Sequence, residues 1–120
     1  MSDARTEDVL DERMVAALRD FGREPGRLLH QMATDFLVEA PSLVSEIERA
    51  VEDHADAIAA RAAHQLKGVS GHIGAVRLAV VAGEVEVSAR SGVAHAMAAA
   101  TTAARTELDL AVVAARGLLE

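Results

Sequence analysis

His64-Gln65-Leu66-Lys67-Gly68-Val69-Ser70-Gly71-His72-Ile73-Gly74-Ala75 decides how this chain is read. At about 100° per residue, the apolar positions Ile58, Ala62, Leu66, Val69 and Ile73 fall on one face of a helix. His64 projects roughly opposite Leu66 and Ile73, toward water. Beside it on that outer stripe stand Ala57, Ala60, Arg61, Lys67, Gly68 and Gly71. A solvent-facing imidazole is thus ringed by very small side chains and two cations. The arrangement suits the approach of something bulky.

Two glycines sharpen the point. Glycine in an exposed helix interior costs about 1 kcal/mol relative to alanine. Alanine is the commonest residue of the chain, yet glycine occupies positions 68 and 71, one and two turns beyond the histidine. Helix stability is given up where side-chain bulk would shield His64. The other reading makes these glycines a helix end, with Val69-Ser70-Gly71 as a turn. Against it, the apolar spacing runs unbroken to Ile73, so Gly74 is the better stop signal.

An imidazole that is to act as a nucleophile toward an anionic group asks for a neutral, accessible ring nitrogen with positive charge nearby. An exposed histidine meets the first demand near neutral pH. Lys67, one turn on and about 60° around the helix, is within reach of an anionic group held at His64. Arg61, one turn back, either adds attraction or is an ordinary solvated charge.

His64-x-Leu66-Lys67-Gly68, followed by Ile73-Gly74-Ala75, resembles the signature of the histidine-containing phosphotransfer (HPt) domains of bacterial and eukaryotic phosphorelays. Downstream, Leu78, Val85 and Glu86 fall at that family's leucine, hydrophobic and glutamate positions. Ala82 stands where many members carry a cysteine or another small residue. Upstream, Phe36 to Val51, with Pro41 inside, is similar to the family's long helix before the motif. The resemblance covers nearly the whole chain, although its specific part is about a dozen residues. It implies that His64 accepts a phosphoryl group from a receiver-domain aspartate and passes it to another receiver, with Lys67 steadying the phosphoryl oxygens. It specifies Lys67 but not Arg61. It also implies a docking face, which the outer stripe read from the spacing places around Gly68, Gly71, Ala60 and Arg61. No cofactor belongs to the chain itself; the partner receiver carries both the aspartate and the Mg²⁺.

Composition bounds the rest. At 120 residues the chain is expected to form one domain over 1–120, with 1–5 a loose tail. Just over half of the residues are hydrophobic, but only Phe21 and Phe36 are aromatic, so alanine, leucine and valine must fill the core. The net charge of −7 and the lack of a basic cluster argue against nucleic acid. With no cysteine, disulfides and thiolate metal sites are excluded. Asp3, Glu7, Asp8, Asp11 and Glu12 are incompatible with a signal peptide. The longest uncharged run, Ser91 to Ala104, falls short of the roughly 20 apolar residues a bilayer requires. A monomeric cytoplasmic protein is expected.

The spacing predicts an all-α fold. A first helix reads from about Thr6 to Asp20, burying Leu10, Met14, Ala17, Leu18 and Phe21. A second, with Pro25 in its first turn, runs to about Glu52 and is kinked or split at Pro41. Asp53 is the candidate N-cap of the motif helix, about 54–73. A fourth runs from Val76 to Arg90 and stops at Ser91-Gly92. The last spans Val93 to Leu119, with Val93, Met97, Ala100, Ala104, Leu108, Ala111, Ala115 and Leu118 inward. Short connections imply an antiparallel up-down-up-down four-helix bundle, with the N-terminal helix packed across one end.

The chain has no Gly-rich phosphate loop and no cluster of three acids for Mg²⁺, so it is expected to be no ATP-dependent kinase. No carboxylate or histidine stands three or four residues beyond His64 or His72. Metal binding is therefore not expected, and His30, His54 and His95 read as surface or boundary residues. Two alternatives remain open. One is a helical adaptor that binds a receiver without phosphotransfer, which intact His64, Lys67 and Gly68 disfavour. The other is an HPt module excised from a hybrid sensor kinase, which the ordinary start at Met1 disfavours.

Overall fold

Alanine, leucine and valine at three- and four-residue spacing wind this chain into helices. The computed structural model describes residues 9–120. Among them it has five helices and no strand: α1 Glu12–Asp20, α2 Arg27–Glu52, α3 Asp56–His72, α4 Val76–Ser91 and α5 Ala94–Gly117. The expected start of the first helix at Thr6, the tail 1–5 and the acids Asp3, Glu7 and Asp8 lie outside the described residues.

Each of α2 to α5 packs against the next, and α5 packs back against α2, so the four close a ring around one core. Phe36, Ile47, Leu66, Ile73, Leu78 and Leu108 are its largest fully buried side chains. Alanines fill the space between them, among them Ala59, Ala63, Ala82 and Ala104, each with no exposed surface. Such small contact residues let neighbouring helices approach closely. Connections of two or three residues leave no room for a crossover, so each long helix returns beside the one before it.

The helix α1 packs on α2 and starts against the α3–α4 turn. Asp11 caps it by accepting from the amides of Arg13 and Met14, at 2.9 and 3.3 Å. The Asp11 amide in turn donates to the Gly74 carbonyl at 2.8 Å. Gly74 sits at φ +76°, and an added Cβ would stand 3.2 Å from both Cβ and N of Asp11. Left-handed backbone and close approach both call for glycine here.

Several expectations are corrected. Phe21 is 65% exposed, because α1 has ended and the chain at Phe21 is extended; Val15 takes the buried place, and Ala17 is exposed. Pro25 lies in the turn before α2, which starts one residue after the left-handed Gly26. Pro41 neither ends nor splits α2, which runs unbroken for 26 residues. Asp53 does not cap α3: it closes α2, and Ala55 precedes α3 with no side-chain acceptor. Ile58 is 41% exposed; it lies about 80° around α3 from Leu66, whereas buried Ala59 lies about 20° away. Val93, extended ahead of α5, falls off the inward stripe and is exposed.

Candidate functional site

The outer face of α3 carries the site. Gly68 and Gly71 both lie inside this helix with ordinary helical backbone, so the turn reading of Val69-Ser70-Gly71 does not hold. A Cβ built on either glycine meets nothing within 4 Å. Neither packing nor backbone geometry demands glycine there. The surface between them and His64 is open.

His64 has 65% of its side chain exposed. Its Nδ1 lies 3.0 Å from Glu86 Oε2 across the α3–α4 interface. Glu86 is itself buried, with its side chain 11% exposed. Lys67 Nζ stands 3.3 Å from Glu86 Oε1, and the Arg90 guanidinium donates to Oε2 at 2.7 Å. One carboxylate on α4 thus gathers an imidazole and two cations. Burial by itself would raise the Glu86 carboxyl, but hydrogen bonds from Lys67 and His64, with their charges, outweigh it and hold it below the ordinary glutamate range.

That geometry fixes the chemistry of the ring. An ionised carboxylate only accepts hydrogen bonds, so the imidazole proton sits on Nδ1 and points at Glu86. The lone pair of the neutral ring is left on Nε2. The site therefore presents a nucleophilic nitrogen on an exposed side chain, with an ammonium one turn away.

A groove between α2 and α3 runs past the ring, lined by Val38, Glu39, Leu43, Gly68 and His72. Of the expected docking positions, Arg61, Gly68 and Gly71 are exposed. Ala60 is not: at 6% exposure it is buried, since the alanine-rich start of α3 lies close enough to its neighbours to cover one methyl. His30, His54, His72 and His95 are exposed. Among the described residues no group of three or more His, Asp or Glu could hold a metal ion.

Glu86 and Arg90 were not singled out as site residues by the sequence. A signal was present, since Leu78, Ala82 and Glu86 share a four-residue spacing and the first two are buried. An acid in register with a core stripe needs a partner, and Arg90, four residues on, is one.

A sequence model of a known family, described as the Hpt domain, matches residues 31–116. The match takes in nearly all of α2, the whole of α3 and α4, and α5 to its penultimate residue; α1 precedes it. No curated protein matches the chain. Among the described residues no helix is long and apolar enough to cross a membrane.

Proposed function

The chain belongs to the Hpt domain family, and from that membership we propose that it carries phosphoryl groups on His64 between receiver-domain aspartates of a phosphorelay. Hpt domains are phosphocarriers rather than kinases. The observation that carries the reading for this chain is the exposed His64 ring, bonded through Nδ1 to Glu86 within reach of Lys67.

The step needs nothing more from this chain than a nucleophile, a counter-charge and room. His64 Nε2 attacks the phosphorus of an aspartyl phosphate presented by a receiver. The P–N bond forms as the P–O bond to aspartate breaks, and the carboxylate leaves with the bonding pair. The reverse step, toward a second receiver, releases the phosphoryl group again. In transit the charge spreads over three equatorial oxygens, and on this reading the Lys67 ammonium pairs with one of them. Gly68, Gly71 and the groove between α2 and α3 leave the space that a docking receiver needs.

Incubation with phosphorylated receiver domains tests this. The wild-type chain gains an acid-labile, alkali-stable phosphate. His64→Gln gains none and keeps its helical circular dichroism. Label persisting in that variant, at His72 or another histidine, overturns the assignment.

A further inference from the structure

Glu86 carries more than ring orientation requires. One of its oxygens, Oε2, accepts from both His64 Nδ1 and Arg90, while Oε1 faces Lys67. A neutral acceptor would orient the imidazole equally well. The negative charge adds two effects, and both act on the phosphorylated ring.

We infer that Glu86 sets the transfer potential of the site, keeping a phosphoryl group on His64 labile by retaining the Nδ1 proton and by competing for Lys67 and Arg90. The inference rests on the phosphocarrier reading of His64 and names a regulator of that same step. Glu86 is a positioning residue here, since it acts through the ring and the two cations.

The proton effect follows from the leaving group. When the P–N bond breaks, its electron pair returns to Nε2. With a proton on Nδ1 the departing ring is neutral imidazole; without it the ring departs as an imidazolide anion, a far poorer leaving group. A carboxylate accepting from Nδ1 favours the protonated, positively charged phosphoimidazole. Its low proton affinity keeps Glu86 ionised for this purpose.

The charge effect follows from counting. Before phosphorylation Lys67 and Arg90 face one negative charge, that of Glu86. A phosphoryl group brings roughly two more, so the two cations are then divided between carboxylate and phosphate. Each contact that Glu86 retains is one that the phosphoryl oxygens lack. The other charged groups nearby do not replace it. Arg61 is one turn back on α3, Glu84 is two residues before Glu86, and Glu39 and His72 border the groove on the far side of the ring. From α5 only alanines, Ala96, Ala99, Ala100 and Ala103, line the Lys67 side.

Phosphoramidate, a small phosphodonor, loads histidines without any receiver, so the test does not depend on a partner. The full-length chain and Glu86→Gln are loaded, and decay of phosphate at each histidine is followed by NMR between pH 6 and pH 10. Glutamine keeps an oxygen that can accept from Nδ1 but removes the charge. Phospho-His64 is expected to decay more slowly in Glu86→Gln, by about tenfold where Nδ1 protonation differs by one pH unit between the forms. Its loss of lability with rising pH is expected to begin at lower pH than in wild type. Phosphate on the exposed His30 and His95 is expected to decay alike in both proteins. A second measurement needs no variant: in wild type, Nδ1 of phospho-His64 should lose its proton at higher pH than that of phospho-His30. Equal decay and equal pH profiles in the two proteins, or faster decay in Glu86→Gln, overturn the inference; so does an Nδ1 of phospho-His64 that titrates with that of phospho-His30. Failure of every receiver to exchange phosphate with a chain that passes these tests would instead overturn the phosphocarrier reading alone.

Discussion

Lys67 reaches Glu86 by passing its stem beside Gly83, where an added Cβ would stand 3.6 Å from Lys67 Cδ. Its side chain is half exposed, so it contributes little to holding the fold. Lys67→Ala should therefore stay folded with its melting temperature lowered only slightly, because His64 and Arg90 still pair Glu86. Transfer from a receiver should slow by roughly tenfold to a hundredfold, the loss expected if one charge-assisted contact of about 1.5–3 kcal/mol leaves the transition state. Stopped-flow measurement of phosphate transfer checks this, and an unchanged rate would leave Lys67 only its pairing with Glu86. His64 and Lys67 were legible in the sequence because they share one helix face, where spacing alone fixes their relation. Glu86 lies 22 residues from His64, and the register of α4 against α3 that brings its carboxylate under the ring is a packing result. No local periodicity contains it.

At the scale of the element, Gly68 tests whether α3 trades stability for access to His64. It lies in the body of α3 with no neighbour within 4 Å of its missing Cβ. Gly68→Gln should leave the melting temperature unchanged or raise it, since glutamine is the better helix former by several tenths of a kcal/mol. Transfer should nevertheless fall severely, because the new side chain stands about 40° around the helix from His64. Loss of both stability and transfer, measured on the same sample, would remove the docking role. The ends of α2 and α3 supply a matched pair for a second test. In each, two amides bond back to carbonyls of the last turn, His54 to Val51 with Ala55 to Ala50, and Gly74 to Gly71 with Ala75 to Ser70. Both turns need a left-handed residue, which is Gly74 at φ +76° in one and His54 at φ 57° in the other. His54→Gly should stabilise the protein by about 0.5–1 kcal/mol, and Gly74→Ala should destabilise it by at least about 1 kcal/mol. Denaturant unfolding checks both, and equal responses would refute the pairing. The Gly74 stop was legible because glycine marks it. The His54 stop was not, and Asp53 was therefore misread as a beginning.

At the scale of the whole molecule, the ring closes where α5 meets α2, as the expected four-helix bundle requires, but the side chains that meet there were beyond the reach of the sequence. The inward stripe of α5 could be read from Met97 to Ala115, but not the residues of α2 that it would meet. Arg105 bridges the two, donating through Nε and one terminal nitrogen to Glu48, at 3.1 and 2.6 Å, across 57 residues of chain. The Glu48 carboxyl is held below its ordinary value chiefly by this hydrogen bond, against the opposing effect of burial and with help from the Arg105 charge. Glu86 is likewise depressed. A carboxyl with a lowered folded-state pKa binds its proton more readily in the unfolded chain. Its stabilising contribution is therefore complete above the ordinary glutamate value and is lost as pH falls through the lower folded value. Stability should stay level from neutral pH down to that ordinary value and decline below it. Both partners of the Arg105 pair are more than a third exposed, so solvent screening limits the pair to about 0.2–1 kcal/mol. In thermal melts from pH 7 to pH 3, Glu48→Gln should be slightly less stable than wild type at neutral pH. It should lose less stability in acid, and the two curves should converge at the lowest pH. Parallel curves with a constant offset would mean that Glu48 contributes through packing, and that the α2–α5 closure depends on its alanine and leucine contacts alone.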